Sequence, residues 1–189
     1  MNKLKVITST TREGRKGASI GKWITDLSKN IEGFEVELID LGELNLPMMN
    51  EPNHPRLGQY QYEYTKKWSE TINESDAFII VLAEYNYGFP APIKNAIDYL
   101  FNEWKYKPVG IVSYGGVSGG LRATQMLKQV VTTLNMMPLS EQVSIPFFAN
   151  YMNEKGNFKG DEKLNNSAIN MMQHLYKWST TMKKMRETM

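Results

Sequence analysis

The stretch that decides the fold is Ala77-Phe78-Ile79-Ile80-Val81-Leu82-Ala83-Glu84-Tyr85-Asn86-Tyr87-Gly88-Phe89-Pro90-Ala91-Pro92-Ile93-Lys94-Asn95. The unbroken apolar run from Ala77 to Ala83 reads as a strand buried on both faces, the pattern of an interior strand in a parallel sheet. It stops at a polar, aromatic turn punctuated by Gly88 and Pro90. A helix then opens from about Pro92, with Ile93, Ala96, Ile97 and Leu100 on its apolar stripe. Ligands of open parallel sheets collect at the carboxyl ends of strands, so Glu84, Tyr85, Asn86 and Tyr87 form a candidate binding wall. The same residues would also serve as a plain strand-to-helix joint, and the other loops must decide between the two.

Working outward toward the amino terminus, Lys3 to Thr10 reads as a first strand ending in hydroxyl residues. Thr10-Thr11-Arg12-Glu13-Gly14-Arg15-Lys16-Gly17-Ala18-Ser19 joins it to a helix marked by Ile20, Trp23, Ile24 and Leu27. A helix start presents free N–H groups and the positive end of a dipole; Thr and Ser hydroxyls and the cations of Arg12, Arg15 and Lys16 add to them. That set suits a phosphate monoester, and the plain alternative is a solvated cationic loop with Ser19 capping the helix. Neither G-x-G-x-x-G nor G-x-x-x-x-G-K-[ST] occurs here, which disfavours dinucleotide-fold and P-loop readings. Phe34 to Leu41 alternates apolar and acidic residues, as expected of a second strand near a sheet edge, and Asp40 at its end reads as a turn former rather than a ribose ligand. Residues 42–58 form a long Pro-rich connection whose Met48 and Met49 suit an irregular apolar partner, a flat ligand or the chain's own core. The stripe Tyr64, Trp68, Ile72 predicts a helix over Tyr60 to Ser75.

Downstream, Pro108 opens a fourth strand, Val109 to Tyr114, followed by Gly115-Gly116-Val117-Ser118-Gly119-Gly120. Four glycines in six residues let a backbone approach a planar ring closely and aim N–H groups at it, beyond what a turn requires. Leu121 to Leu134 predicts a helix, and Met136 to Phe148 an extended segment placed at an edge by Pro146. Glu162 to about Glu187 predicts a closing helix. Strands alternating with helices imply an α/β fold with a parallel sheet covered on both faces, over residues 1–189 as a single domain.

Composition narrows the function. The charge of +2 comes from 22 basic and 20 acidic residues scattered along the chain, so no concentrated field invites nucleic acid or a membrane surface. Cysteine is absent, which removes disulfides and thiolate chemistry and makes the cytoplasm the expected location. No run of about 18 apolar residues and no leader pattern is present. His54 and His174 each lack a second ligand at metal spacing, so no metal site is expected.

Together the three loops resemble those of the NADPH-dependent FMN reductase family of flavodoxin-like proteins, over most of residues 4–150. Ser9-Thr10-Thr11-Arg12-Glu13-Gly14-Arg15 is similar to the family's G-S-T-R-x-G-R, with hydroxyl residues at its first two positions. Glu84-Tyr85-Asn86 through Pro90 and Lys94-Asn95-Ala96-Ile97-Asp98 match P-E-Y-N-x-x-x-P-x-x-x-K-N-A-I-D, with Ala83 replacing the leading Pro. Ser113 to Ala123 matches S-Y-G-G-x-S-G-G-x-R-A. The resemblance implies a three-layer flavodoxin-like sandwich with strand order 2-1-3-4-5. It implies an FMN site with phosphate on Thr10, Arg12 and the helix start at Ala18, Ser19 and Ile20. Glu84, Tyr85, Asn86 and Tyr87 would line the ring and ribityl chain, while Ser113, Tyr114, Gly115 and Gly116 approach the pyrimidine end. A flavin takes a hydride at N5 and leaves negative charge over N1 and the C2 carbonyl, so fixed donors matter more than a catalytic acid or base. Gly115 and Gly116 are the candidate donors, no residue is expected to be catalytic, and Glu84 is expected to fix the loop. The implied activity is ping-pong: NADPH or NADH reduces bound FMN, then a flavin, quinone, azo or metal-oxyanion acceptor takes the electrons. A flavodoxin-like FMN electron carrier and a decayed flavin-fold module are the alternatives. The family also implies a homodimer or homotetramer, with residues 42–58 and the third helix near the interface.

Overall fold

The computed structural model describes residues 1–189. Five strands, β1 (Asn2–Thr8), β2 (Phe34–Asp40), β3 (Ala77–Ala83), β4 (Pro108–Tyr114) and β5 (Met137–Ile145), form one sheet in the order β2-β1-β3-β4-β5. Every neighbouring pair is parallel. This is the order implied by the resemblance. The interior strands β3 and β4 are buried at all seven positions, whereas β2 is buried only at Phe34 and Ile39, as suits an edge strand.

Helices α1 (Gly17–Ser28) and α6 (Glu162–Glu187) cover one face. Their Ile20, Ile24, Met171, Met172 and Leu175 pack on Val6, Ile79, Val81 and Val112. The other face is covered by α3 (Glu63–Asn73), α4 (Ala91–Asp98) and α5 (Leu121–Thr133), packed through Trp68, Ile93, Ile97 and Leu127. A single-turn helix, α2 (Leu41–Leu44), follows β2. Trp68, Trp104 and Phe78 meet edge to face at centroid separations of 6.0 and 5.1 Å, filling the second layer with a large aromatic volume.

The first strand, expected to run to Thr10, ends at Thr8, and two further boundaries depart from the sequence expectation. Tyr60 to Tyr62 is extended rather than helical. The Glu51 carboxylate accepts from the N–H groups of Gln61 and Tyr62 at 2.9 and 3.1 Å, and the Tyr60 hydroxyl donates to Glu103 at 2.8 Å, which draws the chain out before α3 begins. β5 is an edge strand as expected, but Pro146 lies beyond its end; Pro138 occupies the strand, beside a register shift opposite Val109 and Ile111.

Candidate functional site

Strands β1, β3 and β4 are adjacent, so their carboxyl ends bring the three loops of the sequence analysis to one rim. The chain reverses direction of winding between β1 and β3, the place where open α/β sheets leave a crevice.

On the first loop, helix α1 starts without a side-chain cap. The N–H groups of Ser19 and Ile20 both bond to the Lys16 carbonyl, while those of Gly17 and Ala18 have no partner. Thr10 is 1% exposed and its Oγ1 makes no hydrogen bond of good geometry, although the Tyr114 hydroxyl is close enough to interact with it. A Cβ on Gly17 would stand 2.6 Å from that oxygen and 2.9 Å from the Tyr114 hydroxyl, so only glycine leaves room there. Arg12 is exposed and makes no ion pair. The other members of the expected set are otherwise engaged. The Ser19 hydroxyl accepts from the Phe158 N–H at 2.7 Å, and the Ile20 side chain is fully buried. Arg15, expected among the phosphate cations, pairs instead with Asp40 at 2.8 Å and Glu43 at 2.9 Å. Burial alone would raise the Asp40 carboxyl, but hydrogen bonds from Arg15, the Gly42 N–H and Thr8 outweigh it and hold it below the usual range. Asp40 is therefore the cap of α2 as well as the anchor of Arg15, consistent with its reading as a turn former.

The β3 loop is a two-residue reversal. Tyr85 and Gly88 exchange two backbone hydrogen bonds of 2.9 Å, and both central residues are left-handed, Asn86 at φ 49° and Tyr87 at φ 70°. Asparagine adopts that conformation readily, but a tyrosine there is strained by about 1–3 kcal/mol and must be held by its surroundings. The holder is Arg122, whose guanidinium lies 3.7 Å from the centroid of the Tyr87 ring while its Nε donates to Glu84 at 2.9 Å. The Glu84 side chain is only 7% exposed. It accepts from the Ser118 hydroxyl at 2.8 Å and from the N–H groups of Arg122 and Ala123 at 3.1 and 3.3 Å, closing the start of α5. Burial pushes its carboxyl up; these donors more than reverse the effect, leaving it lowered. Glu84 thus braces two loops. Arg122 carries the link, although the sequence reading did not single it out beyond its place in the G-G-x-R pattern.

On the third loop, the glycines divide into two kinds. Gly119 and Gly120 have φ 59° and 85°, and a Cβ on Gly120 would come within 2.7 Å of Ser113 Cβ and 2.9 Å of the Tyr114 nitrogen. They serve the packing of α5 against the strand ends. Gly116 borders open space and its N–H is unpaired, whereas the Gly115 N–H is taken by the Ile145 carbonyl at 3.3 Å. The expected pair of donors narrows to one. Ser113 is fully buried with its hydroxyl on the Gly119 carbonyl. Tyr114 is buried against Phe148, and burial pushes its hydroxyl up to about 12. Its ring reaches toward Gly17, not toward the glycine loop. Beside this rim lies a cleft of about 220 Å³ lined by Thr11, Met48, Pro92 and Asn95, among others.

No group of three or more His, Cys, Asp or Glu side chains is arranged to hold a metal. No helix is long and apolar enough to cross a membrane. The family model described as NADPH-dependent FMN reductase matches residues 2–150. An NAD(P)H-dependent FMN reductase of Schizosaccharomyces pombe is 41% identical over 136 residues, covering 71% of this chain and 68% of the relative. An NAD(P)H:quinone oxidoreductase of Solanum tuberosum is 31% identical over 135 residues, covering 70% and 66%. Among solved structures, the flavoenzyme FerB, an NAD(P)H:(acceptor) oxidoreductase from Paracoccus denitrificans, superposes with a TM-score of 0.73 at 25% identity, covering 97% of this chain and 98% of that one.

Proposed function

This chain belongs to the NADPH-dependent FMN reductase family, and from that premise we propose that its three-loop rim holds FMN and that NAD(P)H and a small-molecule acceptor use the same opening in turn. When bound, FMN supplies the centre that accepts a hydride from the nicotinamide and hands electrons on to a flavin, quinone, azo or metal-oxyanion acceptor. The observation that carries the reading is the buried, unpartnered Thr10 Oγ1 beside the free N–H groups of Gly17 and Ala18. Thr10 Oγ1 is one of four such buried atoms in the chain, with those of Thr25, Thr65 and Gln142, and it is the one on the three-loop rim, where a phosphate oxygen would satisfy it.

The chain's own residues bind and orient. Arg12 contributes a free cation to the phosphate end; Thr10, Gly17 and Ala18 contribute donors. In this reading the strained Tyr85–Gly88 reversal, braced by Glu84 and Arg122, forms the wall of the ring, and Gly116 offers a fixed N–H to developing negative charge. Glu84 stays ionised and fully hydrogen-bonded, so it moves no proton. The nucleotide product leaves before the acceptor enters, because one opening serves both. We read the assembly as a homodimer or homotetramer, with residues 42–58 and α4 at the interface. Met48, 76% exposed on that loop, supports this. Light scattering that returns the mass of one chain, 21.7 kDa, would remove it. The absence of cysteine suits a cytoplasmic location.

Anaerobic mixing of the FMN-loaded protein with NADPH should bleach the flavin absorbance within the turnover time, and steady-state rates should give parallel double-reciprocal lines. No bleaching with either NADPH or NADH sinks the proposal. Arg12→Ala should weaken FMN binding about tenfold or more, the scale of one lost charge-assisted hydrogen bond.

A further inference from the structure

Arg15 belongs to the first loop but reaches across to β2. Its Nη2 donates to Asp40 Oδ2 at 2.8 Å and to Glu43 Oε1 at 2.9 Å, and its Nε to Asp40 Oδ2 at 3.3 Å. The other oxygen of Asp40 accepts from the Thr8 hydroxyl and the Gly42 N–H, both at 2.9 Å. Thr8 and Asp40 are the last paired residues of β1 and β2. The clamp therefore fastens the loop to two paired strand ends. Gly42 completes it: a Cβ there would lie 2.7, 2.8 and 2.9 Å from Cζ, Nη2 and Nε of Arg15. Three near-equal distances mean that the guanidinium plane lies against the bare Gly42 backbone. A Cβ at this position would have to displace the guanidinium from its place over Asp40. Arg12, three residues earlier, is exposed and pairs with nothing.

We propose that Arg15 is a positioning residue: through Asp40 it sets the path of residues 10–17, so that Arg12 and the N–H groups of Gly17 and Ala18 converge on one phosphate, which Arg15 itself does not touch. Arg15 directs its charge at Asp40 and Glu43 rather than at a ligand. Asp40→Asn, which keeps the guanidinium and removes a negative charge, separates shape from charge, because charge alone would then tighten an anion. The inference rests on the reading that the FMN phosphate sits on this loop.

The test is a fluorescence titration of FMN and of riboflavin, which lacks the phosphate, into the wild-type apoprotein and Arg12→Ala, Arg15→Ala, Arg15→Lys and Asp40→Asn variants. It is run at several salt concentrations, with melting temperatures of each apoprotein. Arg15→Ala and Asp40→Asn should each weaken FMN about tenfold, as lost supporting contacts do at built sites, and the double variant should be no weaker than either. Arg15→Lys should recover part of the loss. Riboflavin affinity should be unchanged, and the salt dependence of Asp40→Asn should be no flatter than that of wild type, whereas Arg12→Ala should flatten it. The proposal is overturned if Asp40→Asn leaves FMN binding unchanged or tightens it, since a released Arg15 would then be reaching the phosphate. An equal loss for riboflavin overturns it as well. A wild-type protein that holds riboflavin as tightly as FMN removes the phosphate site itself, and the inference with it; Arg12→Ala without effect identifies that failure separately.

Discussion

The two ends of the sheet are built to opposite rules. At the amino end the buried charged groups are hydrogen-bonded. Asp76, just before β3, accepts from the Lys3 N–H at 3.0 Å, from Lys183 at 2.8 Å and from Arg186 at 2.7 Å. Lys107, 4% exposed just before β4, donates to the carbonyls of Ile72 and Asn73 at 2.7 and 2.8 Å, closing the end of α3. At the carboxyl end Thr10 Oγ1 and the N–H groups of Gly17, Ala18 and Gly116 go unpaired, Arg12 is free, and Tyr87 is held in a strained conformation. Satisfied polar groups stabilise the fold; unsatisfied ones raise its free energy until something else satisfies them. The contrast teaches where this chain invests in its own stability and where it is left ready for a ligand.

The largest expected effect breaks the ready end. Gly120→Ala forces a Cβ against Ser113 and the Tyr114 backbone at φ 85°, so it should destabilise by about 2–4 kcal/mol, read by denaturant unfolding. A change under 0.5 kcal/mol would mean that the glycine loop is slack and the packing account of Gly119 and Gly120 wrong.

Lys107 sharpens the paired end. Burial lowers its pKa from 10.5 to about 7 in the folded chain, so the unfolded state holds the proton to higher pH. Because the unfolded state binds more protons between about pH 7 and 10.5, this group makes stability rise with pH across that window. Unfolding titrations at pH 7 and 9.5 should show that rise in wild type relative to Lys107→Met, with FMN affinity equal in both. An equal pH response in the two proteins would refute the burial argument.

The smallest effect on stability is expected at Thr10. Thr10→Val deletes an unpartnered hydroxyl, so apoprotein stability should stay within about 1 kcal/mol or increase, while FMN affinity falls several-fold. A clear loss of stability with unchanged FMN affinity would make Thr10 an ordinary core residue and erase the difference between the two ends.

Much of the fold was legible because burial on both faces leaves a plain mark. Ala77 to Ala83 and Val109 to Tyr114 could be read as interior strands from their residue types alone, and β2 betrayed its edge position by alternation. Tyr60 to Tyr62 misled because Glu51, ten residues from Gln61, supplies side-chain acceptors for the backbone N–H groups of Gln61 and Tyr62 that no local pattern announces. The loops that make the rim were also legible, as was the bracing part played by Glu84. The condition of each donor was not. Arg15 looked like a phosphate cation, and Gly115 like a donor, until Asp40 and Ile145 were seen to occupy them. Arg122 gave no local sign that it would lie on Tyr87.

The sequence by itself determined the order of elements, the buried faces and the three loops, because hydrophobic periodicity and turn chemistry are local and repeat along the chain. Only the tertiary structure decided which polar groups in those loops are free to bind. A hydrogen bond is a pairing between residues distant in sequence, such as Thr8 with Asp40 or Glu84 with Arg122, and its partner exists only once the sheet has brought the strand ends together.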